Sequence, residues 1–183
     1  MSNNKSIGEL KIAISGKSGC GNTTVSRLLA DTLGLHFVNF TFRSLAKEKG
    51  LSMEEVLVLA AKDDRWDKEV DRRQVELARA GPGCVLGSRL AIWMLPEADL
   101  KVFLTARPEI RAKRIMAREG GCLKHIMEVT SARDIQDSER YLRIYNINND
   151  DYSIADLVIN TDEITPAEIT EKIISEAKKK LCS

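Results

Sequence analysis

Short apolar runs alternate along the chain with longer segments in which apolar residues recur at helical spacing. The short runs predict five strands, at Leu10–Ser15, Leu35–Phe40, Cys84–Gly87, Leu100–Thr105 and Asp156–Asn160. The longer segments predict helices at Thr23–Leu33, Thr41–Lys49, Ser52–Lys62 and Asp64–Ala80, with further helices opened by Arg107-Pro108 and Thr165-Pro166. Strands that alternate with helices indicate an α/β fold whose parallel sheet is covered by helices on both faces.

Local signals mark several helix ends. Gly34 is expected to stop the first helix. Ser52, with Glu55 three residues later, predicts a capping box at the start of the third helix. Pro166 stands at a favoured first-turn position of the last helix.

The composition bounds the class of protein. The chain has 183 residues, 43% of them hydrophobic and 30% charged, which predicts one soluble globular domain. A formal net charge of only +1 argues against a general nucleic-acid binder. We expect a cytoplasmic protein, because the first residues lack the apolar stretch of a signal peptide and no apolar run reaches membrane-spanning length. No Cys-x-x-Cys pair or typical zinc set is present, so reduced thiols are expected at Cys20, Cys84, Cys122 and Cys182.

A glycine-rich segment follows the first predicted strand and opens the first helix. Gly16–Thr23 has the spacing of a Walker A loop, with two glycines five residues apart and a hydroxyl residue at its end. Such a loop aims successive main-chain N–H groups at a polyphosphate, and the hydroxyl of Thr23 would ligate Mg²⁺. The predicted ATP-binding residues are Gly16, Lys17, Ser18, Gly19, Cys20, Gly21, Asn22, Thr23 and Thr24.

One position departs from the Walker A pattern. Asn22 stands where the lysine is usual, and an amide can donate hydrogen bonds to phosphate but brings no charge. Lys17 or arginines later in the chain are candidate suppliers of the missing cation. The alternatives are a loop that binds a nucleotide without catalysis and a glycine-rich turn that binds nothing.

Several further motifs occur in a fixed order. They are Gly19–Val25, Phe42–Glu48, Asp71–Gln74, Ser88–Leu90, Pro96–Leu104, the set Arg133, Asp137, Arg140 and Tyr141, and the segments 145–147 and 150–161. Together they resemble the CMP kinases, specifically the short-form branch, over nearly the whole chain from Lys11 to about Ile174. In that branch the loop commonly lacks the lysine, as it does here.

The resemblance implies a P-loop fold with three α/β/α layers and a single kinase domain over residues 1–183. It implies substrate-binding helices at about 42–80 and a helical lid at about 107–148. The expected reaction moves the γ-phosphoryl group of ATP, with Mg²⁺, onto CMP or dCMP. A monomer is favoured and a dimer is possible, with no nucleic-acid or membrane partner.

The resemblance also implies roles for charged residues. Arg43 and Arg89 would hold the 5′-phosphate of the acceptor, while Arg133 and Arg140 would come from the lid as catalytic groups. Lys17 and Thr23 of the glycine loop, considered above for positive charge and for Mg²⁺, complete the predicted catalytic set. Asp137 would meet the acceptor sugar or orient those arginines. Arg133, Asp137 and Arg140 share a helix face by spacing, so one ion cluster is expected, the alternative being a surface salt-bridge network.

Other charged positions have two readings each. The arginines of the basic run from Arg107 to Arg118 lie on one helical stripe, which the resemblance places near ATP, with Arg114 preferred; the alternative is a solvated face. Asp67 and Asp71 suggest base recognition, or helix charge with local pairing beside Arg72. Gly87 lies where the short-form branch often carries an acidic residue that could help to hold Mg²⁺, and Ser88 replaces a glycine.

Three other functions stay open from the sequence. The first is a nucleotide-binding regulatory protein without transferase activity, which Asn22 and Gly87 motivate. The second is a kinase for a different small acceptor, such as shikimate. The third is a dimeric ATPase in which Lys17 reaches across the interface.

Overall fold

The structure is a computed structural model that describes residues 5–181. Its strands are β1 (Lys11–Gly16), β2 (His36–Val38), β3 (Cys84–Gly87), β4 (Leu100–Thr105) and β5 (Leu157–Asn160). Its helices are α1 (Asn22–Leu33), α2 (Phe42–Lys49), α3 (Met53–Ala60), α4 (Arg65–Ala80), α5 (Ala91–Met94), α6 (Pro108–Glu119), α7 (Leu123–Tyr145) and α8 (Pro166–Leu181). A short 3-10 turn at Ile7–Glu9 precedes β1.

The five strands form one parallel sheet in the order β2-β3-β1-β4-β5. The predicted α/β class is therefore confirmed. Parallel strands need crossovers, and each crossover here contains at least one helix. Of the helix signals, Gly34 ends α1 in the left-handed conformation, and the capping box of Ser52 and Glu55 forms at the start of α3.

The core lies on both faces of the central strand β1. Ile12 and Ile14 point to one face, where they pack with Leu29 of α1 and Ile173 of α8. Ala13 points to the other face and packs in a cluster with Ile92 and other buried residues of the α5 side. This alternation is the pattern of a strand covered on both sides, as the apolar run predicted.

The edge strand β2 is shorter than the predicted Leu35–Phe40. Only His36–Val38 pairs with β3, opposite Cys84–Leu86. Phe40 instead packs with Leu45 and Val70 in a separate cluster between α2 and α4.

Two helical segments stand at the carboxyl edge of the sheet. Helices α2–α4 lie between β2 and β3, and α6 and α7 lie between β4 and β5. The carboxyl ends of parallel strands share this edge, so the loops after β1, β3 and β4 meet there.

No helix within residues 5–181 is long and apolar enough to cross a membrane. Of the four cysteines, Cys182 lies outside the described residues, and the other three are free thiols.

Candidate active site

The glycine loop connects the end of β1 to the start of α1 and turns sharply through its glycines. Gly19 and Gly21 have φ of 86° and 98°, a left-handed conformation that side chains disfavour. A Cβ on Gly16 would lie 2.6 Å from the carbonyl oxygen of Leu104, and one on Gly19 would lie 2.8 Å from Cβ of Arg111. The neighbouring elements therefore require glycine at both positions, and a glycine loop of this kind before a helix is suited to binding an anion at the start of α1.

A cavity of about 650 Å³ opens beside this loop. All nine residues predicted to bind ATP line it. Its remaining lining includes side chains from α2, α4, α6 and α7 and from the segment after β3: Thr41, Phe42, Asp67, Asp71, Gln74, Arg89, Arg114, Arg118, Arg140 and Tyr141. The cavity is therefore long enough to join the glycine loop to the helical segments on the opposite side.

Asn22 does not aim its amide at the cavity as a substitute for lysine. Its Nδ2 donates a 3.1 Å hydrogen bond to the main-chain carbonyl of Ser88, and its Oδ1 is buried without a hydrogen-bond partner among residues 5–181. The side chain therefore ties the glycine loop to the segment that carries Arg89.

Gly87 is packed against α1. A Cβ at this position would lie 2.5 Å from Oγ and 2.7 Å from Cβ of Ser26. An acidic side chain, which the short-form branch often carries at this position, has no room here while Ser26 occupies the space. Thr23, the predicted metal ligand, is exposed at the start of α1 and lines the cavity.

Two cationic side chains lie at the glycine loop, one from the loop itself and one from α6. Lys17 pairs with Asp150 at 2.5 Å, with both side chains partly exposed. Arg114 donates to the carbonyl of Gly19 at 3.3 Å and to Oγ1 of Thr161 at 2.9 Å. Lys17 is therefore paired within its own chain, with Asp150. Arg114, the preferred member of the basic run for a contact near ATP, lies against the glycine loop.

The other arginines of the basic run divide between packing, surface pairing and the cavity. Arg111 is only 4% exposed, packs beneath Gly19 and pairs with Asp134 of α7. Arg107 pairs with Asp162 at 2.8 Å, and Arg118 lines the cavity. The reading of this run as one solvated face is therefore wrong.

Burial controls the thiol inside the glycine loop. Cys20 is 2% exposed, and burial raises the pKa of its thiol despite the nearby guanidinium of Arg111. The side chain is accordingly a neutral filler of the core and is poorly suited to oxidation.

A chain of polar contacts and ion pairs runs from Ser18 of the glycine loop to Asp67 of α4. Arg89 donates to Oγ of Ser18 at 2.8 Å and pairs with Asp137 at 2.9 Å. Asp137, 6% exposed, also accepts from Arg140 at 2.7 Å, and Nε of Arg140 lies 3.1 Å from Asp67. The buried carboxylate of Asp137 thereby holds the guanidinium groups of Arg89 and Arg140 together, and Asp67 contacts Arg140 from α4.

The predicted cluster of Arg133 with Asp137 and Arg140 is wrong for Arg133. This side chain is exposed, does not line the cavity, and forms no ion pair within the described part of the chain. The inward stripe of α7 passes through Ile126, Thr130, Asp134, Asp137 and Tyr141. Position 133 lies about 100° around the helix from position 134, and so turns outward.

Arg43 also lies outside the cavity lining. It is exposed on the first turn of α2, directly after Thr41 and Phe42, which do line the cavity. The structure therefore brings together Arg89, Arg140 and Asp137 of the predicted acceptor residues, and leaves Arg43 and Arg133 on the surface.

A second polar group lies deeper against α4. Oδ2 of Asp71 accepts a 2.6 Å hydrogen bond from the hydroxyl of Tyr145, and Gln74 lies one turn further along α4. Burial raises the pKa of Asp71 to about 6, opposed by the Tyr145 hydrogen bond and increased by the charge of Asp67. Burial also raises the pKa of Asp67, against the attraction of Arg140.

Neither aspartate pairs with Arg72, which pairs with Glu69 and Glu76 instead, although Asp71 contacts Gln74 on the same helix. Sequence reasoning missed Gln74 and Tyr145 as site residues. For Gln74 a signal was present, since it lies three residues after Asp71 and so shares its helix face. For Tyr145 there was no local signal, because it lies 74 positions along the chain from its partner Asp71.

A parallel sheet with a glycine loop between its central strand and the next helix, and with arginines facing that loop, defines a P-loop protein of the phosphotransferase type. Residues 11–163 match the sequence model of the cytidylate kinase-like family. The chain belongs to this family.

Two relatives show how far the similarity extends. Cytidylate kinase 2 of Borreliella burgdorferi is 47% identical over 175 residues, covering 93% of this chain and 97% of that protein. Cytidylate kinase of Pyrococcus horikoshii is 42% identical over 160 residues, covering 86% of this chain and 83% of that protein.

Solved structures of lower sequence identity share the fold. Shikimate kinase from Acinetobacter baumannii has a TM-score of 0.64 at 17% identity and covers 96% of this chain and 97% of its own. Shikimate kinase from Bacteroides thetaiotaomicron has a TM-score of 0.62 at 18% identity, with 93% and 98% covered. At such identities the likeness concerns the fold alone.

Proposed function

We propose that this protein transfers the γ-phosphoryl group of ATP to CMP or dCMP. The observation that carries the proposal is the position of Arg89, which donates to Ser18 of the glycine loop and pairs with Asp137 beside Arg140. One guanidinium group thus lies between a donor cradle and an acceptor site. Membership of the cytidylate kinase-like family supports cytidylate as the acceptor.

On the donor side, the amides of Gly16–Thr24 would bind the phosphates of ATP. Because Asn22 is neutral and occupied by Ser88, positive charge would come from Arg114, Arg118 and Lys17. Thr23 fits a role as a Mg²⁺ ligand, since its hydroxyl is exposed at the start of α1 beside the cradle. Mg²⁺ usually keeps several waters and binds substrate phosphates, so a site without a dense carboxylate cage is compatible with it. When bound, the ion would neutralise phosphate charge.

On the acceptor side, Arg89 and Arg140 would bind the 5′-phosphate. A phosphate oxygen of the acceptor attacks the γ-phosphorus of ATP, and the bond to the oxygen that bridges to the β-phosphorus breaks. That oxygen leaves with the bonding electron pair as part of ADP. The attacking oxygen is already ionised near neutral pH, so charge compensation and alignment matter more than a general base.

Residues 107–148 would act as a lid and residues 42–80 as the acceptor-binding segment, within a single kinase domain. The proposed roles of Arg43 and Arg133 then require α2 and α7 to move toward the cavity, because both side chains now lie outside it. Closure of this kind would exclude water from the transferred group. A monomer in the cytoplasm is part of the proposal and rests on the sequence alone.

A second candidate function is nucleotide binding without transfer. It is favoured by Asn22, whose amide is committed to Ser88, and by Gly87, which leaves no space for a carboxylate near the metal. Turnover separates the two functions, since a binder takes up ATP but phosphorylates no monophosphate.

The test is a coupled assay with ATP, Mg²⁺ and a panel of CMP, dCMP, UMP, AMP, GMP and shikimate. We expect transfer to CMP or dCMP with the highest kcat/KM. Arg89→Ala should lower that value by at least about 100-fold, because two charge-assisted contacts to the phosphate are lost. Arg65→Ala is the matched control, since Arg65 is an exposed arginine that pairs only locally with Asp63. ATP binding without transfer to any acceptor would reject the proposal in favour of the binder.

A further inference from the structure

Gln74 is buried beside the cavity with half of its side-chain amide unused. The residue is 6% exposed and lines the cavity, and its Oε1 has no hydrogen-bond partner among residues 5–181. A buried acceptor without a donor is costly, so such an atom in a ligand cavity points to a donor on the ligand.

The neighbouring carboxylate fixes which way the amide points. Nε2 of Gln74 lies 3.5 Å from Oδ1 of Asp71. The reverse orientation would place the amide oxygen against the carboxylate and is disfavoured by repulsion. Gln74 therefore turns its donor toward Asp71 and keeps its carbonyl oxygen available.

Asp71 is itself held in position from the opposite helix. The hydroxyl of Tyr145 donates to its Oδ2 at 2.6 Å, so the other oxygen, Oδ1, keeps free lone pairs beside the Gln74 amide. Both residues line the same cavity as Arg140, whose pairing partner Asp67 lies one turn before Asp71 on α4. The pair thus adjoins the proposed binding site for the acceptor phosphate.

We infer that Asp71 and Gln74 bind the exocyclic amino group of the acceptor base and thereby select cytosine over uracil. This inference rests on the proposed function. Two acceptor oxygens, one of them charged, match an amino group that offers two N–H donors. Uracil places a carbonyl oxygen at the same ring position, where it would meet two acceptors and no donor. Tyr145 is a positioning residue, acting through the carboxylate of Asp71.

The first test uses the unaltered protein and changes the substrate. Transfer from ATP is measured to CMP, N4-methyl-CMP, N4,N4-dimethyl-CMP and UMP. Each removed N–H donor should lower kcat/KM by about 10- to 100-fold, and UMP should rank with or below the dimethyl analogue. Equal use of CMP and N4,N4-dimethyl-CMP would overturn the inference while leaving the kinase function intact. Failure of every monophosphate would instead overturn the proposed function.

The second test changes the protein. Asp71→Asn replaces one acceptor by an amide that can donate to the uracil oxygen, so the ratio of kcat/KM for CMP to that for UMP should fall by about 100-fold or more. Tyr145→Phe should lower the same ratio by a smaller factor, through a raised KM for CMP. Glu76→Gln, an exposed acid-to-amide change on the same helix, should leave the ratio unchanged. An unaltered ratio in folded Asp71→Asn protein would contradict the inference.

Discussion

The side chain of Asn22 is hydrogen-bonded to the main chain of Ser88, with 3.1 Å between Nδ2 and the carbonyl oxygen. The position at which a Walker A loop usually presents a lysine to phosphate here joins the loop to the end of β3. Ser88 is followed directly by Arg89, so the same contact helps to place the guanidinium that lies between Ser18 and Asp137.

Asn22→Asp should weaken both folding and nucleotide binding. The carboxylate would oppose the carbonyl of Ser88 and add negative charge to the phosphate cradle. We expect the Kd for ATP to rise by at least about tenfold, and the free energy of unfolding to fall by more than in Asn22→Ala, where the lost hydrogen bond costs about 1 kcal/mol. Calorimetric titration with ATP and urea denaturation measure the two effects. Equal ATP affinity in the two variants would show that a charge at position 22 does not act on the bound phosphates.

Gly87 and Ser26 should behave as a coupled pair. A Cβ at position 87 would lie 2.5 Å from the Ser26 hydroxyl, so Gly87→Ala should lower the free energy of unfolding by about 1–3 kcal/mol. Removing the serine side chain in Gly87→Ala/Ser26→Gly should recover part of this loss in a double-mutant cycle. Gly81→Ala is the control, because its nearest heavy-atom neighbour is 3.7 Å away and it should change stability by less than about 0.5 kcal/mol. Additive effects would contradict the packing described for this site.

The sequence alone predicted the sheet and its covering helices better than it predicted the contacts of the candidate active site. Apolar periodicity and helix signals located the strands and most helices, because packing on a parallel sheet depends on local patterns such as the run of β1. The glycine loop was equally local. Its partners were not, since Asn22 contacts Ser88 and Tyr145 contacts Asp71 across long sequence separations.

The side of α7 that faces the cavity also escaped prediction. Spacing grouped Arg133 with Asp137, but the inward side of α7 carries Asp134 and Asp137. Their partners Arg111 and Arg89 lie on distant segments of the chain. The lack of room for a side chain at Gly87 could not be predicted either, because the space is filled by Ser26 of α1.

Asp71 should reduce the stability of the free protein above pH 6. Burial raises its pKa from 3.8 to about 6, with Tyr145 and Arg140 opposing and Asp67 adding to the shift. Between these values the folded state binds more protons than the unfolded state, so the contribution of Asp71 to stability falls as pH rises through 6. Asp71→Asn should therefore stabilise the protein by about 1–3 kcal/mol at pH 8, and by much less at pH 4. Urea denaturation at the two pH values measures this, and a gain independent of pH would contradict the assigned cause.

Arg133→Ala should depress phosphoryl transfer far more than ATP binding if α7 closes over the acceptor. The side chain now lies on the exposed side of α7, so its loss should leave the Kd for ATP within about twofold while kcat falls by about 100-fold. The neighbouring exposed residue Gln136 supplies the control as Gln136→Ala, which should change neither constant. An equal loss of transfer and ATP binding would mean that Arg133 serves the donor side, and unchanged transfer would remove it from the site.

Phosphorus NMR of the protein with ATP, Mg²⁺ and CMP tests the central claim most directly, because it follows the transferred group itself. The account predicts that ATP and CMP disappear together while ADP and CDP accumulate in equal amounts, with no matching rise in inorganic phosphate. ADP formed together with inorganic phosphate and no CDP, or an unchanged ATP spectrum, would contradict it.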